Sequence, residues 1–559
     1  MVNATIYTPK TLFEDYDRSG EFDVTVIKKE QVEGVTVEHF YFNGNKKQMG
    51  VTRVYCICAY KERPAPCVIR IGEIGKKHDI NGLIYFAKLD FFTLAIDYSG
   101  DAGRGAHTIY PQDADYANLP RAGRHMEYAD LTARDTTWFE WDINTLRLID
   151  LVFEKKYAKD NKLALYSVGQ FASRVAVHVL ASDKRVLSGA VAFGNIWEET
   201  IRKMSRIEQL SVSDLNKSME ELDEEERWLS AMAPQGYLQY ITQPLYLITG
   251  ANSGYTSIIE NRAAMKRCKN ARSRHLYIKD ALDTVSDEDL QNVARWFTIC
   301  FEEVKNIPVE PRLSFRTKGG ELYCAVKKDE KGEIRLFYTN GNTDSKIFNW
   351  RQCEIVKEEN FVKGRVVFYD KETPVTAYAT AKLNGLLISS DPETVYPRYY
   401  DAKESQKSRI LYQQEEKTGS FIPLAVEGGE VHSLAKPLEW AEGPFGIKGV
   451  KGKSLGTFAV TEYPFSSGDS FLSFDVFCLK EGELDCYLLT NWGESYQEIF
   501  VKRVNLTGGQ LWQKVKGDFK DFKCVQIGSK AFDSSKKEKI NLLSFSSKEE
   551  IIINNVIFG

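Results

Sequence analysis

Over residues 1–65 apolar and polar positions alternate in short runs: Phe22-Asp-Val-Thr-Val-Ile27, residues 35–42 and residues 50–58, with Asn43-Gly44 between the last two. A two-residue period broken by such a turn signal predicts antiparallel strands. Past this point the pattern changes. Pro66-Cys-Val-Ile-Arg-Ile-Gly72 is a compact apolar run ending on glycine, residues 82–87 fit one helical face, and residues 91–100 form a second buried run. Residues 136–153 carry helical spacing, and Leu163-Ala-Leu-Tyr166 leads through a tight turn into a helix of small and β-branched residues ending near 180. Residues 186–193, 244–250 and 275–278 read as further strands, and 287–304 as a closing amphipathic helix. Strands alternating with helices predict a mostly parallel sheet flanked by helices, with right-handed crossovers.

After Pro308 and Pro311 the helical period disappears. Alternating runs at 321–326, 334–338, 364–369 and 376–383, separated by Gly/Asn/Asp turns, predict an immunoglobulin-like sandwich over 311–403. A polar stretch at 401–408 leads into a second all-β unit over 404–559, with clear strands at 471–478, 484–490 and 496–502. The expected fold class is therefore α/β over residues 1–310, with a helical insertion near 198–240, followed by two all-β sandwich domains.

Composition narrows the functions. A chain of 559 residues exceeds one hydrophobic core. A net charge of −4 with no Lys/Arg run gives no phosphate-tracking groove, so no nucleic-acid partner is expected. No apolar run reaches the ~20 residues that span a bilayer, so no membrane partner is expected, and Met1-Val-Asn-Ala-Thr-Ile-Tyr-Thr-Pro-Lys10, without a positive stretch followed by an apolar one, leads to the expectation of no signal peptide. The ten cysteines are scattered without zinc-site spacing, and Cys56 and Cys58 share one strand face. They fit buried thiols of a cytoplasmic protein with no metal and no cofactor.

The strand–turn–helix at 162–180 reads Ser167-Val168-Gly169-Gln170-Phe171 at its turn. Together with the strand at 66–72, the exit Ala95-Ile-Asp-Tyr-Ser-Gly100, the strand ending Ile248-Thr-Gly250 and the final Trp-Phe helix, it resembles the α/β-hydrolases. The likeness is to the acetyl-xylan-esterase-like and peptidase-like branch, over residues 50–305. The resemblance implies a Ser–Asp–His triad in chain order. At its three positions stand Gly169, Asn252 or Ser253, and Asp283. Ile71-Gly72-Glu73 replaces the usual His-Gly-Gly of the oxyanion loop, where Glu73 would oppose a developing oxyanion if it faced inward. The expectation is an inactive esterase-like protein with a pocket formed by Gly72, Glu73, Gly169, Gln170, Asn252, Asp280 and Asp283, and a role in glycan or partner binding. Two alternatives stand beside it. One is an active ester hydrolase using Ser167, Ser173 or loop carboxylates such as Asp97 and Asp101. The other is a structural or oligomerising protein with its pocket filled by Phe171 and Tyr255. His178, within the elbow helix, reads as a packing residue.

Residues 509–516, 518–522 and 551–558 are similar to jelly-roll carbohydrate-binding modules. That resemblance implies sugar contacts through exposed rings, for which Trp440, Tyr487, Trp492 and Tyr496 are the candidates, with Trp512 assigned to the core. Carbohydrate and a second copy of the chain are the partners left open.

Overall fold

The computed structural model describes residues 6–101, 107–197, 219–253, 256–279, 281, 284–302, 304–327, 332–341, 345–493 and 496–559. The chain divides into two compact units. The first comprises residues 1–248, 260–276 and 287–309; the second comprises 249–259, 277–286 and 310–559.

The first unit is built on β1 (Thr25–Val32), β2 (Val35–Lys46), β3 (Val51–Tyr60), β4 (Ala65–Ile71), β5 (Phe92–Asp97), β6 (Ala158–Val168), β7 (Ser188–Ala192), β8 (Leu245–Gly250) and β9 (Arg274–Ile278). Their order in the sheet is β1-β2-β3-β5-β4-β6-β7-β8-β9. The first three strands run antiparallel, as their alternation predicts, and β3 joins β5 antiparallel. From β5 through β4, β6 and β7 to β8 each neighbouring pair is parallel. The β3-β5-β4-β6 exchange followed by sequential parallel strands is the α/β-hydrolase sheet. β5 and β7 are buried at every position, which is why they read as continuous apolar runs.

Three helices position the site. α1 (Ile80–Lys88) starts at Asp79, whose carboxylate accepts the Gly82 N–H. α2 (Thr137–Glu154) is capped by Thr136 and is buried along most of its length. Its polar residues are accordingly paired: Asn45 Nδ2 donates to Glu140 at 2.6 Å, Lys47 meets Glu140 at 2.6 Å, and Asn144 accepts the Asn45 N–H. α3 (Gln170–Ser182) is the helix after the elbow. Part of the expected insertion is the helix Met219–Met232; residues 198–218 lie outside the described residues. Among the described residues, no helix is long and apolar enough to cross a membrane.

The second unit holds two antiparallel β-sandwiches. In one, a sheet of Leu313–Lys318, Glu321–Lys327, Phe361–Val366 and Ile355–Lys357 packs against a sheet centred on Glu333–Asn340 and Val375–Leu383. In the other, the 19-residue strand Ile540–Phe558 pairs with Lys448–Thr457, Phe471–Phe477 and Gly482–Thr490 around an aromatic-rich core. Segments 249–259 and 277–286, which follow or end strands of the first unit's sheet, fold with this second unit.

Candidate functional site

The turn after β6 is made by Gly169, with φ 106° and ψ 174°. This region of backbone space is open almost exclusively to glycine. The Gly169 N–H donates to Ala192 O at 3.0 Å, so the turn is tied to the end of β7. Here an acyl-transfer enzyme of this fold carries its nucleophile, with the oxyanion bound by the next residue's N–H and by an N–H from the loop after β4.

In this chain the loop after β4 places Glu73 over the turn. Phe171 N–H donates to Glu73 Oε2 at 3.0 Å, and Ile74 N–H donates to Oε1 at 3.0 Å. The Gln170 N–H also bonds the carboxylate. An N-terminal helix end favours such an anion through its free N–H groups and its dipole. Burial is the largest influence on the Glu73 carboxyl and leaves it above the usual carboxylate range; the N–H donors and Arg174 pull the other way. A β-carbon on Gly169 would lie 2.1 Å from Glu73 Oε2. Gly72, Glu73, Gly169 and Gln170 thus stand together, and Glu73 faces inward.

Beside them is a cavity of about 170 Å³ lined by Gly72, Glu73, His78, Asp79, Asp97 and Tyr98, among others. Asp97 is buried and serves the loop: its carboxylate accepts Ser99 N–H at 3.1 Å and Thr108 N–H at 2.7 Å. Asp101 lies at the same cavity. Arg70 pairs with Asp79 at 2.7 Å. His78 is pushed down to about 4, first by burial and then by Arg70 and His39, and its Nε2 has no hydrogen-bond partner among the described residues.

The alternative nucleophiles are poorly placed. Ser167 is buried in β6 and its Oγ has no partner among the described residues. Ser173 Oγ donates to Gly169 O at 2.6 Å, and it stands where a β-carbon on Gly194 would be 1.8 Å away. His178 is fully buried; its Nδ1 meets Asp142 Oδ2 at 2.8 Å and its Nε2 meets Met232 O at 3.0 Å. Both ring nitrogens are therefore engaged in joining α2, α3 and the helix Met219–Met232.

In the second unit Asn252 and Ser253 are buried. Asn252 Nδ2 donates to Lys346 O at 3.0 Å and to Phe348 O at 2.7 Å, while Trp350 Nε1 donates to Ala251 O at 3.2 Å. The Thr256 N–H reaches Ser253 Oγ at 3.3 Å. Asp280, Asp283 and Tyr255 lie outside the described residues.

The four ring candidates divide. Trp440 is 40% exposed and Tyr496 is 62% exposed. Tyr487 is half-buried against the cluster containing Leu489 and Ile499. Trp492 corrects the sequence expectation: it is core, with its ring 5.2 Å from Phe458, and it has no face to offer a ligand. Trp512 is partly buried, 5.9 Å from Phe477, with Nε1 donating to Pro444 O.

One feature carries no sequence signal. A cleft of about 640 Å³ in the second unit is lined by Arg351, Tyr369, Glu416, Glu462 and Tyr463, among others. Arg351 makes a two-pronged ion pair with Glu462, its Nη1 at 3.2 Å from Oε1, and its guanidinium lies 5.8 Å from the Tyr369 ring centre. The partners are 111 residues apart in the chain, so no local pattern announces them.

The class that this sheet and elbow define is the α/β-hydrolase fold, carried on a chain with two further β-sandwiches. No family model matches the chain, and no curated protein matches it. Among solved structures it is similar to the acetyl xylan esterase from Paenibacillus sp. R4, at 13% identity and TM-score 0.41, covering 50% of this chain and 89% of that one. It is also similar to acetyl xylan esterase 1 from Thermoanaerobacterium sp. JW/SL YS485, at 13% identity and TM-score 0.40, covering 54% and 97%. The Pyrococcus horikoshii acylaminoacyl peptidase is similar at 11% identity and TM-score 0.31, covering 52% and 42%.

Proposed function

We propose that this chain is a non-hydrolysing protein of α/β-hydrolase fold whose role is to bind carbohydrate. The observation that carries the first half is the Glu73 carboxylate standing on the N–H groups of the elbow, where an oxyanion would have to form. A negative charge there opposes a second one, and Gly169 supplies no nucleophilic atom. Among the described residues Ser167 Oγ has no hydrogen-bond partner and Ser173 Oγ donates to a backbone carbonyl, while His178 on α3 is held at both nitrogens. The binding half is supported by the partly exposed rings of Trp440 and Tyr496 on the second sandwich, whose flat apolar faces suit the C–H face of a sugar ring. All ten cysteines are free thiols, which supports a reducing, cytoplasmic setting.

The test is hydrolysis of p-nitrophenyl acetate and acetylated xylo-oligosaccharide by the purified chain, with fluorophosphonate labelling alongside. The expected result is turnover at the buffer rate and no label. Turnover abolished by Ser167→Ala, Ser173→Ala or Glu73→Gln would overturn the proposal and name the working group.

A further inference from the structure

The cleft of about 640 Å³ in the second unit has the size of a small-molecule site. Its walls come from separate parts of the chain: Arg351 and Tyr369 from the first sandwich, and residues 408–420 and 459–463 from the second. Four basic and four acidic side chains line it, so it presents no net field to an ion. Its strongest cation is already neutralised, because Arg351 is gripped at both ends by Glu462. What remains is a dense set of donors and acceptors beside the Tyr369 ring and the apolar Ile410, Leu411 and Ala459.

A second observation marks the rim. The turn after the short helical segment Gln414–Glu416 passes through Lys417 at φ 57° and ψ −123°, a left-handed conformation that costs a side-chain-bearing residue of order 1–3 kcal/mol. Gly419 follows at φ 57°. This strained turn carries Glu416 to the cleft. There its carboxylate, open to solvent, can accept from a ligand hydroxyl.

From this geometry we infer that the cleft between the two sandwiches is a carbohydrate site of the protein and takes a neutral oligosaccharide, with Glu416, Gln352 and the Arg351–Glu462 pair on the hydroxyls and Tyr369 against a ring face. The inference rests on the binding role proposed above and adds this cleft to the exposed rings of Trp440 and Tyr496.

The experiment is calorimetric titration of the full chain with xylotetraose, cellotetraose and maltotetraose, and with tetragalacturonate and chitosan tetramer as charged controls. At least one neutral tetramer is expected to bind, with the charged ones weaker by about tenfold or more. Glu416→Ala and Tyr369→Ala should each weaken that binding by about tenfold or more, while Leu479→Ala and Ile527→Ala, exposed residues that do not line the cleft, leave it unchanged. Glu416 sits on an exposed turn, so its variant keeps the test valid if Tyr369→Ala fails to fold. No binding by any neutral tetramer, binding of charged tetramers alone, or unchanged binding in both the Glu416 and Tyr369 variants would each overturn the inference. Acetyl release, followed in the same samples, reports separately on the non-hydrolysing assignment.

Discussion

Glu73 and Gly169 exclude one another's alternatives: the Glu73 Oε2 that accepts the Phe171 N–H lies 2.1 Å from where a β-carbon on Gly169 would stand. The carboxylate holds its place only because residue 169 is glycine. The turn holds its conformation for the same reason, since φ 106° with ψ 174° suits little else.

Gly169→Ser should therefore lower unfolding stability by about 1–3 kcal/mol from backbone strain alone, with a further loss from the displaced carboxylate. Adding Glu73→Ala should recover only the second part. Denaturant unfolding of the two single variants and the double variant measures the coupling. Strict additivity would show that the two residues do not meet.

Asn252→Asp restores a carboxylate at one triad position and should cost stability instead of adding function. The amide nitrogen faces the Lys346 and Phe348 carbonyls, and an ionised oxygen in its place leaves acceptors facing acceptors. A loss of about 2 kcal/mol or more is expected by denaturant titration near neutral pH. The loss should shrink in acid, where the carboxyl can donate.

His78 gives a pH signature with a definite sign. Its folded value of about 4 lies below the ordinary 6.5. Between those values the unfolded chain takes up a proton that the folded chain refuses, so stability falls as pH drops through that window. The full effect is about 3 kcal/mol at most. His78→Gln should flatten it. Glu73, Asp97 and Asp142 are raised by burial and act in the opposite sense, weakening the fold as pH rises through their folded values. The difference between wild type and His78→Gln, followed by thermal melts from pH 4 to 7, isolates the histidine.

His178→Ala strips the imidazole partner from the fully buried Asp142 carboxylate and should destabilise the chain by about 3–5 kcal/mol near neutral pH. A catalytic role would show instead as lost turnover with the melting curve unchanged.

Trp492→Ala empties a core position and should cost about 3–5 kcal/mol. Tyr496→Ala, four residues on and exposed, should stay within about 0.5 kcal/mol of wild type. Equal effects on stability would contradict the packing described here.

The parallel sheet was legible because strands buried on both faces leave continuous apolar runs, as in β5 and β7, and because a glycine turn separates β6 from α3. The identity of Glu73 was legible as well. Its inward orientation depends on a donor 98 residues away and has no local signature. Trp492 misled for a related reason. It follows Asn491 and precedes Gly493, a turn-like context that favours exposure, yet Phe458 from another segment closes over it. The Arg351–Glu462 pair, drawn from two sandwiches, has no sequence pattern at all.

The second unit's claim on residues 249–259 and 277–286 sets a schedule for folding. The Tyr277 N–H bonds Ser389 Oγ at 2.9 Å, and Thr284 Oγ1 donates to Ser433 O at 3.0 Å, 149 residues downstream. A ribosome that has finished the last helix of the first unit has not yet made either partner. These two bonds must wait for roughly the next hundred residues and more. Tyr277 and Thr284, which both precede the last helix of the first unit, thus make these bonds only with residues synthesised after it.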